Sequence, residues 1–278
     1  MEFVYSNGNG GAEAAFASFG AMHTVFEMVL VRVGEPRARS IAEKVRLLVT
    51  GIEKKISRHD PDSPFARLCS SGPGSPVEVD DEVFSVLQFC ETFRKSTAGY
   101  FDIAVLSGNS VRPAYSLSPE TKSVTLSGED ILLDAGGFGK GYALDRVRQL
   151  LVEEDVKDAL LNFGDSSVTA LGSHPFGDCW AVDVKTGGGT FRLKDSSLSV
   201  SGLRPDGTAH IMDPVDGSLV GFPGLVAVQG RSAFVCEVLS TSLYAAPERM
   251  RPAIISAFDG YSYKLIKQDM KQWIGENL

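Results

Sequence analysis

The chain has 278 residues, a formal net charge of −8 at pH 7 and 43% hydrophobic residues. This apolar content supports a substantial core, whereas the acidic balance without any basic run argues against nucleic acid as the main partner. Uncharged apolar runs of about 18 residues, which a membrane-spanning helix requires, are absent, so we expect no membrane span.

The first residues carry no pattern of a regular element. They lack both a basic region and an apolar core, so they do not resemble a secretory signal. We expect residues 1–17 to be a poorly ordered lead and residues 18–278 to form a single domain. The four cysteines are widely spaced, which favours reduced thiols in the cytoplasm. A lipobox is also absent, and the expected compartment would be periplasmic if a leader had been removed.

The first half of the chain predicts one strand and two helices. Residues 22–31 are rich in β-branched and apolar residues and predict a strand. Apolar residues then recur at helical spacing over residues 36–56, after a proline that starts the helix. Two prolines within residues 57–64 end this helix. A second helix follows Asp80 and stops near Gly99.

From residue 123 onward the pattern changes to short β-rich segments. Helices are expected only after a glycine-rich turn, over residues 232–244 and at the C-terminus. Helices and antiparallel segments do not follow a regular βαβ order, so the pattern favours an α+β fold over a doubly wound α/β fold. The predicted strands are residues 123–126, 159–161, 167–171, 180–184, 190–193, 198–200 and 225–229.

Residues 133–145 contain a glycine-rich turn between an expected strand at residues 131–133 and a helix. Glycines let backbone amides approach a ligand closely, a helix N-terminus favours anions, and Lys140 adds positive charge. The combination suits a phosphate, but the same glycines could serve only the packing of a tight turn. The Walker and dinucleotide-binding codes are not met, because Gly141 follows Lys140 and Tyr142 takes the third glycine position.

A polar stripe occurs on the helix predicted over residues 232–244. Glu237, Ser240 and Thr241 stand at positions i, i+3 and i+4, so their oxygens share one helix face. A carboxylate and two hydroxyls are hard ligands that suit Mg²⁺ bridging protein and phosphate. The alternative is an ordinary solvated helix face.

His210 stands shortly before an Asp-Pro turn. An imidazole in this position can act as a general base near neutral pH, and the alternative is a histidine with a purely structural place. Asp134, Asp145 and Asp165 are further candidate acids. Each of these signals is weak by itself.

Several short segments occur in the same order in one known family. Residues 22–24 resemble its Met-Gly-Thr strand, 57–68 its Ser-x-x-x-x-x-Ser-x-x-x-x-Leu loop, 99–102 its Gly-Ala-Phe-Asp and 134–145 its Asp-Leu-Gly-Gly-Ile-Ala-Lys-Gly-Tyr-Ala-x-Asp turn. Residues 161–164 resemble its Val-Asn-x-Gly, 199–202 its Ser-Thr-Ser-Gly, 210–217 its His-Ile-x-Asp-Pro-x-x-Gly and 237–243 its Asp-x-x-Ser-Thr-x-Leu helix. The family is that of the ApbE-like FAD:protein FMN transferases, and the resemblance covers roughly residues 18–245.

The resemblance implies an enzyme that binds FAD as its substrate, uses Mg²⁺ and moves the FMN moiety onto a threonine hydroxyl of an acceptor flavoprotein, releasing AMP. It implies an α+β fold of antiparallel sheets with packed helices, related to the tunnelling fold. The family's proposed base falls on His210. Its FAD contacts fall on Met22, His59, Tyr100, Phe101, Asp102, Asp134, Lys140 and Ile211, and its metal contacts on the backbone carbonyl of Gly137 and on Glu237, Ser240 and Thr241.

The chain also departs from the family pattern. Glu237 stands where the family has aspartate, His59 where an aromatic ring is common, Cys69 in place of an asparagine and Asp165 in place of a glycine. Two other functions therefore stay open. One is an FAD pyrophosphatase that gives FMN and AMP with water as acceptor, and the other is a non-catalytic paralogue that holds FAD.

Overall fold

The computed structural model describes residues 1–8, 11–107, 113–184, 188–204 and 206–267. Within them the chain forms strands that assemble into one large and two small sheets. The strands are β1 (Glu2–Ser6), β2 (Ala14–Ala21), β3 (Thr24–Val31), β4 (Pro76–Glu78), β5 (Tyr115–Ser118), β6 (Ser123–Leu126), β7 (Asp158–Phe163), β8 (Ser167–Leu171), β9 (Trp180–Val184), β10 (Gly189–Leu193), β11 (Ser197–Gly202), β12 (Gly224–Gly230) and β13 (Ser262–Lys267).

The large sheet has eight strands in the order β1-β2-β3-β7-β8-β11-β12-β13. Every neighbouring pair in it is antiparallel. Strands β9 and β10 form a separate two-stranded sheet, and β4, β6 and β5 form a three-stranded one. The antiparallel sheets confirm the α+β expectation.

Six α-helices pack with these sheets in the described part of the chain. One helix follows the glycine-rich turn and another begins near residue 232, and both contact the large sheet. The helices are α1 (Glu35–Ile56), α2 (Pro64–Cys69), α3 (Asp81–Ser96), α4 (Gly139–Glu153), α5 (Ala233–Ala245) and α6 (Arg251–Ser256).

Local capping chemistry starts several of these helices. In α3 the Asp80 side chain accepts a hydrogen bond from the Val83 backbone N–H at 2.9 Å. Helix α5 begins in the same way, with Ser232 accepting from the Val235 N–H at 3.2 Å. Helix α5 is buried over most of its length, since it lies against α4 on one side and β11 and β12 on the other. Its polar residues are therefore held in fixed positions.

The N-terminal segment differs from its prediction. The lead expected to be poorly ordered contributes strands β1 and β2, and β2 pairs with β3 along its whole length. Ala15, Ala17 and Phe19 on β2 are buried. The strand expected to start at residue 22 starts instead at Thr24, because residues 22–23 form the tight turn between β2 and β3.

One further prediction needs correction, and another falls outside the described residues. Residues 131–133 are not assigned to a strand, although Ile131 and Leu133 are buried, and the chain there is held by a hydrogen bond from the Asp134 N–H to the Ile103 carbonyl at 2.8 Å. Strand β13 follows the short α6, so the helix expected at the C-terminus is left to residues 268–278. Residues 268–278 lie outside the described residues. Among the described residues no helix is long and apolar enough to cross a membrane.

Candidate active site

A cavity of about 1330 Å³ opens beside the start of α4, between the large sheet and the loops that precede α4 and β12. Its volume exceeds the range of roughly 300–1,000 Å³ common for small-ligand pockets. Of the residues predicted to form the site, Met22, His59 and Ser240 are not part of the wall. Those that line it are Tyr100, Phe101, Asp102, Asp134, Gly137, Lys140, His210, Ile211, Glu237 and Thr241.

The glycines of the turn before α4 serve two purposes. Gly136 and Gly137 line the cavity. Gly139 and Gly141 are buried in packing instead: a Cβ on Gly139 would lie 3.2 Å from Ile56 Cδ1, and one on Gly141 only 2.4 Å from the Ala233 carbonyl oxygen. The packing interpretation therefore accounts for the two glycines inside the helix, and the ligand interpretation stays open for the two in front of it.

Asp134 holds the turn in shape. Its Oδ1 accepts a hydrogen bond from the Gly136 N–H at 2.8 Å, and its Oδ2 forms an ion pair with Arg58 Nε at 2.5 Å. Arg58 also lines the cavity. The predicted flavin contact Asp134 is thus already neutralised by a cation of the chain.

Glu237 joins α5 to the start of α4. Its carboxylate is only 5% exposed and forms an ion pair with Lys140, whose side chain is 21% exposed. Its Oε2 also accepts a hydrogen bond from the Gly141 N–H at 2.5 Å. A carboxylate at a helix N-terminus is stabilised by the unpaired amides and by the helix dipole. The anion-favouring end of α4 is therefore occupied by Glu237 itself.

The hydroxyls of α5 are drawn into a buried network. Ser240 Oγ lies 3.0 Å from Ser199 Oγ and accepts a hydrogen bond from Ser201 Oγ at 2.9 Å. Thr241 lies next to the turn, since a Cβ on Gly137 would be 3.8 Å from Thr241 Oγ1. All four predicted metal contacts thus lie in one neighbourhood: Gly137, Glu237, Ser240 and Thr241.

This oxygen set suits Mg²⁺ in its chemistry. Each ionised carboxylate oxygen has more than one lone pair, so Glu237 can hold a cation while it accepts from Lys140 and Gly141. Clusters of three or more histidine, cysteine, aspartate or glutamate side chains placed for a metal are absent from the described residues. A single carboxylate supported by neutral oxygens is a weak, water-dependent kind of site.

His210 stands at the exposed edge of the cavity, at the start of the loop that leads to β12. Partial removal of its imidazole from water lowers its pKa below the usual range, and the positive charges of Arg204 and Lys140 lower the pKa further, against an opposing effect of Asp206. The loop is closed by a hydrogen bond from the Gly217 N–H to the Asp213 carbonyl at 2.8 Å. The imidazole is therefore kept in its neutral, proton-accepting form at neutral pH.

Met22 and His59 lie near the site but outside the cavity wall. Met22 occupies the β2–β3 turn with a positive φ of 48°, and its N–H donates to Glu53 Oε1 at 2.8 Å. Its sulfur would be 3.8 Å from a Cβ on Gly139. The exposed His59 ring contacts His23 edge-on, with ring centroids 5.6 Å apart. Contact of Met22 or His59 with a flavin stays a prediction.

Of the two remaining candidate acids, only Asp165 reaches the cavity. Asp145 instead caps α5, accepting from Ser232 Oγ at 2.5 Å and from the Ala233 N–H at 2.8 Å, and burial raises its pKa. Asp165 lines the cavity and accepts a hydrogen bond from Asn162 Nδ2 at 3.1 Å. Asp145 is therefore a structural residue.

Sequence reasoning overlooked two cavity cations. Arg58 follows the serine that opens the 57–68 loop, and Arg204 follows the Ser-Val-Ser-Gly segment of β11 by two residues. Both lie within or next to segments that resemble family motifs. The available signal was an arginine beside a motif, but exposed arginines are common, so position alone could not single them out.

Comparison with known proteins agrees with this architecture. The profile of the ApbE family matches residues 22–263. The FAD:protein FMN transferase of Treponema pallidum (strain Nichols) is 24% identical over 288 residues, with 82% of this chain and 77% of that protein covered. The FAD:protein FMN transferase of Klebsiella pneumoniae (strain 342) is 26% identical over 215 residues, with 64% of this chain and 66% of that protein covered.

The fold is also found among solved structures. The flavin transferase ApbE from Vibrio cholerae superposes with a TM-score of 0.77 at 17% identity, over 92% of this chain and 97% of that chain. The chain therefore has the fold of that flavin transferase. Because the family profile covers most of its length, the chain belongs to the ApbE family. The resemblance stated from the motifs and the expectation of an enzyme are thereby confirmed.

Proposed function

We propose that this enzyme transfers the FMN moiety of FAD to a threonine hydroxyl of an acceptor protein, with Mg²⁺ as its metal and AMP as the second product. The observation that carries the proposal is the shared cavity: most of the predicted flavin contacts, the predicted base His210 and the α5 carboxylate face the same space. The relatives named for this transfer support it.

The reaction requires one bond to form and one to break at phosphorus. The threonine oxygen of the acceptor bonds to the phosphorus of the FMN half, the bridging P–O bond breaks, and its electron pair leaves with AMP. The threonine proton passes to an unprotonated ring nitrogen of His210. A hydroxyl is a poor nucleophile until a base takes its proton, so the lowered pKa of His210 keeps that base available at neutral pH.

Lys140 and Glu237 are the charged residues that we assign to the diphosphate and to the metal. Lys140 is a flexible cation that can turn from Glu237 toward a phosphate without backbone movement. Glu237, Thr241 and the Gly137 carbonyl are the residues that would hold Mg²⁺, with Ser240 contributing through its hydroxyl network. A bound magnesium ion supplies neutralisation of charge on the diphosphate oxygens.

Two aromatic residues on the cavity wall suit the apolar part of the substrate. Phe101 is 3% exposed and forms an edge-on contact with Phe93, with ring centroids 6.3 Å apart, so its position is fixed. Tyr100 is half-buried beside it and lines the cavity. Such a rigid aromatic surface is suited to the isoalloxazine ring, and we assign the ring to this side of the cavity.

The test combines three measurements in one incubation. The protein is mixed with FAD, Mg²⁺ and a candidate acceptor domain that carries a threonine, and the acceptor mass, AMP and free FMN are measured together. Addition of one FMN to the acceptor with an equal amount of AMP is expected. AMP with an equal amount of free FMN would indicate the pyrophosphatase instead, and FAD binding without either product would indicate the non-catalytic paralogue.

A further inference from the structure

Three cationic side chains line the described cavity wall: Arg58, Lys140 and Arg204. Two of them are already neutralised by carboxylates of the chain. Arg58 pairs with Asp134 at 2.5 Å, and Lys140 pairs with the buried Glu237. A diphosphate entering the cavity would therefore meet two ion pairs rather than two free cations.

The N-terminus of α4 is not free for an anion either. The Gly141 N–H donates to Glu237 Oε2 at 2.5 Å, so the Glu237 carboxylate occupies the place that a phosphate would take at this helix end. A second anion beside it would be repelled unless another positive charge were near. The glycine turn alone does not supply that charge.

Arg204 differs from the other two cations. It lies exposed on the cavity wall, and among the described residues its guanidinium has no hydrogen bond or ion pair. The pKa of the nearby Asp206 is lowered by hydrogen bonds from the Thr208 hydroxyl at 2.6 Å and the Thr208 N–H at 2.9 Å and, to a smaller extent, by the charge of Arg204, which lies near this acid without forming an ion pair with it.

The backbone of Arg204 is nevertheless held in place. Its N–H donates to the Thr208 carbonyl at 3.0 Å, and its own carbonyl accepts from the Gly207 N–H at 2.8 Å. The side chain lies close enough to His210 for its charge to act on the imidazole. Two backbone hydrogen bonds thus hold Arg204 at the part of the cavity wall where the base stands, and its guanidinium forms no ion pair among the described residues.

We propose that Arg204 is the residue that binds the diphosphate of FAD and stabilises the charge that passes to AMP when the bridging P–O bond breaks. This inference rests on the proposed function and adds a substrate-contacting residue to it. A guanidinium presents parallel N–H donors that match two phosphate oxygens, which a lysine ammonium cannot do. Arg204 thereby makes the site select a flavin that carries a diphosphate over one that carries none.

The test compares Arg204→Gln and Arg204→Lys with the wild-type protein. Arg192→Gln is the matched control, because Arg192 is an exposed arginine that pairs with Asp178 at 2.6 Å and is not among the residues that line the cavity. The dissociation constants of FAD and of riboflavin are measured from flavin fluorescence, and AMP release is measured with FAD. Urea unfolding verifies that each variant is folded.

We expect Arg204→Gln to bind FAD about 10- to 100-fold more weakly, since a hydrogen-bonded charge is lost, while riboflavin binding is unchanged. The FAD affinity of Arg204→Lys should lie between those of the wild type and Arg204→Gln, and the FAD affinity of Arg192→Gln should match the wild type. An Arg204→Gln protein that binds FAD and releases AMP as the wild type does would overturn the inference. Equal weakening of FAD and riboflavin would also overturn it, because that would indicate a role in loop structure.

These measurements, combined with the acceptor-mass measurement described for the proposed function, separate this inference from that function. If FAD binding depends on Arg204 but no acceptor gains FMN, the proposed transfer function is wrong and the proposed contact of Arg204 with the diphosphate stands. If the wild type transfers FMN and Arg204→Gln transfers it equally well, the proposed function stands and the proposed contact of Arg204 with the diphosphate is wrong. A wild-type protein that binds no FAD would overturn both.

Discussion

The Glu237 side chain is longer by one methylene than the aspartate that the family resemblance leads one to expect. In this structure its carboxylate bridges two helices by reaching the Lys140 ammonium and the Gly141 N–H. A buried carboxylate with such partners is costly to remove, because the buried Gly141 N–H and the part-buried Lys140 ammonium then lose their acceptor. Glu237 is therefore a structural link as well as a candidate metal ligand.

We expect Glu237→Ala to lower the free energy of unfolding by about 3–5 kcal/mol, the usual range for breaking a buried pair. Glu237→Gln keeps the shape and one acceptor oxygen, so its loss should be smaller. In both variants AMP release should lose its dependence on Mg²⁺ concentration. Urea unfolding and AMP release against Mg²⁺ are the measurements, and a folded glutamine variant with an unchanged Mg²⁺ curve would exclude Glu237 from the metal site.

His210 connects the structure to a pH dependence. Its pKa in the folded protein is lowered, so in the interval between that value and its ordinary value near 6.5 the unfolded chain binds more protons than the folded one. Its contribution to stability is therefore complete above the ordinary pKa and is lost as the pH falls through the folded value. The imidazole also stays unprotonated to a lower pH than an ordinary histidine.

For the wild-type enzyme we expect the acidic limb of kcat/KM for flavin transfer to lie below the ordinary histidine pKa. His210→Ala should remove that limb and lower transfer by about 10²–10⁴-fold, with little change in FAD affinity. His174→Ala is the matched control, since the His174 ring packs on Trp180 with centroids 5.1 Å apart and is not among the residues that line the cavity. Transfer by His210→Ala at the wild-type rate would remove His210 from the role of base.

Helix α4 depends on a close contact with α5. Gly141 approaches the start of α5 so closely that any side chain would collide with the Ala233 backbone. This approach is what lets Glu237 on α5 reach the Gly141 N–H. The helix pair therefore positions the Lys140–Glu237 pair at the cavity through a single small residue.

We expect Gly141→Ala to destabilise the protein by about 1–3 kcal/mol, as overpacking does. Gly51→Ala in the middle of α1 should have the opposite effect and stabilise the protein by up to about 1 kcal/mol, because a Cβ there meets open space and alanine favours the helix. Urea unfolding of the two variants is the measurement. Equal effects of the same sign would contradict the assigned helix contact.

At the scale of the whole molecule, the first two strands complete the large sheet. Strand β1 is an edge strand paired only with β2, whereas β2 is buried between β1 and β3. Phe19 on β2 stacks on Phe26 of β3 with ring centroids 5.0 Å apart. Strand β2 is therefore part of the core, and β1 mainly covers its edge.

Two truncations test this assignment. Removal of residues 1–11 should leave a folded, less stable protein that still binds FAD, because β2 can serve as the new edge. Removal of residues 1–21 should lower the free energy of unfolding by more than about 3 kcal/mol through the loss of Phe19 alone, and we expect it to prevent stable folding. Circular dichroism and urea unfolding are the measurements, and a longer truncation as stable as the full chain would show that β2 is dispensable.

Local sequence patterns were sufficient to predict many of the helices and strands. The helix expected over residues 36–56 is α1, the strand expected over residues 123–126 is β6, and the helix expected over residues 232–244 is α5 within one residue at each end. These elements have a clear hydrophobic period and strong start signals. Strand β2 was not predicted because its buried alternate positions are mostly alanine, whose weak apolar signal resembles that of a flexible segment.

The sequence by itself determined the family, the α+β class and the set of chemical groups, because motif order and hydrophobic period are properties of the chain alone. Only the tertiary structure decided how those groups are paired. Glu237 meets Lys140 and Asp134 meets Arg58 across long sequence separations, while Arg204 forms no ion pair among the described residues. Coulomb energies and hydrogen bonds depend on distances in space, which sequence spacing does not encode between separate elements.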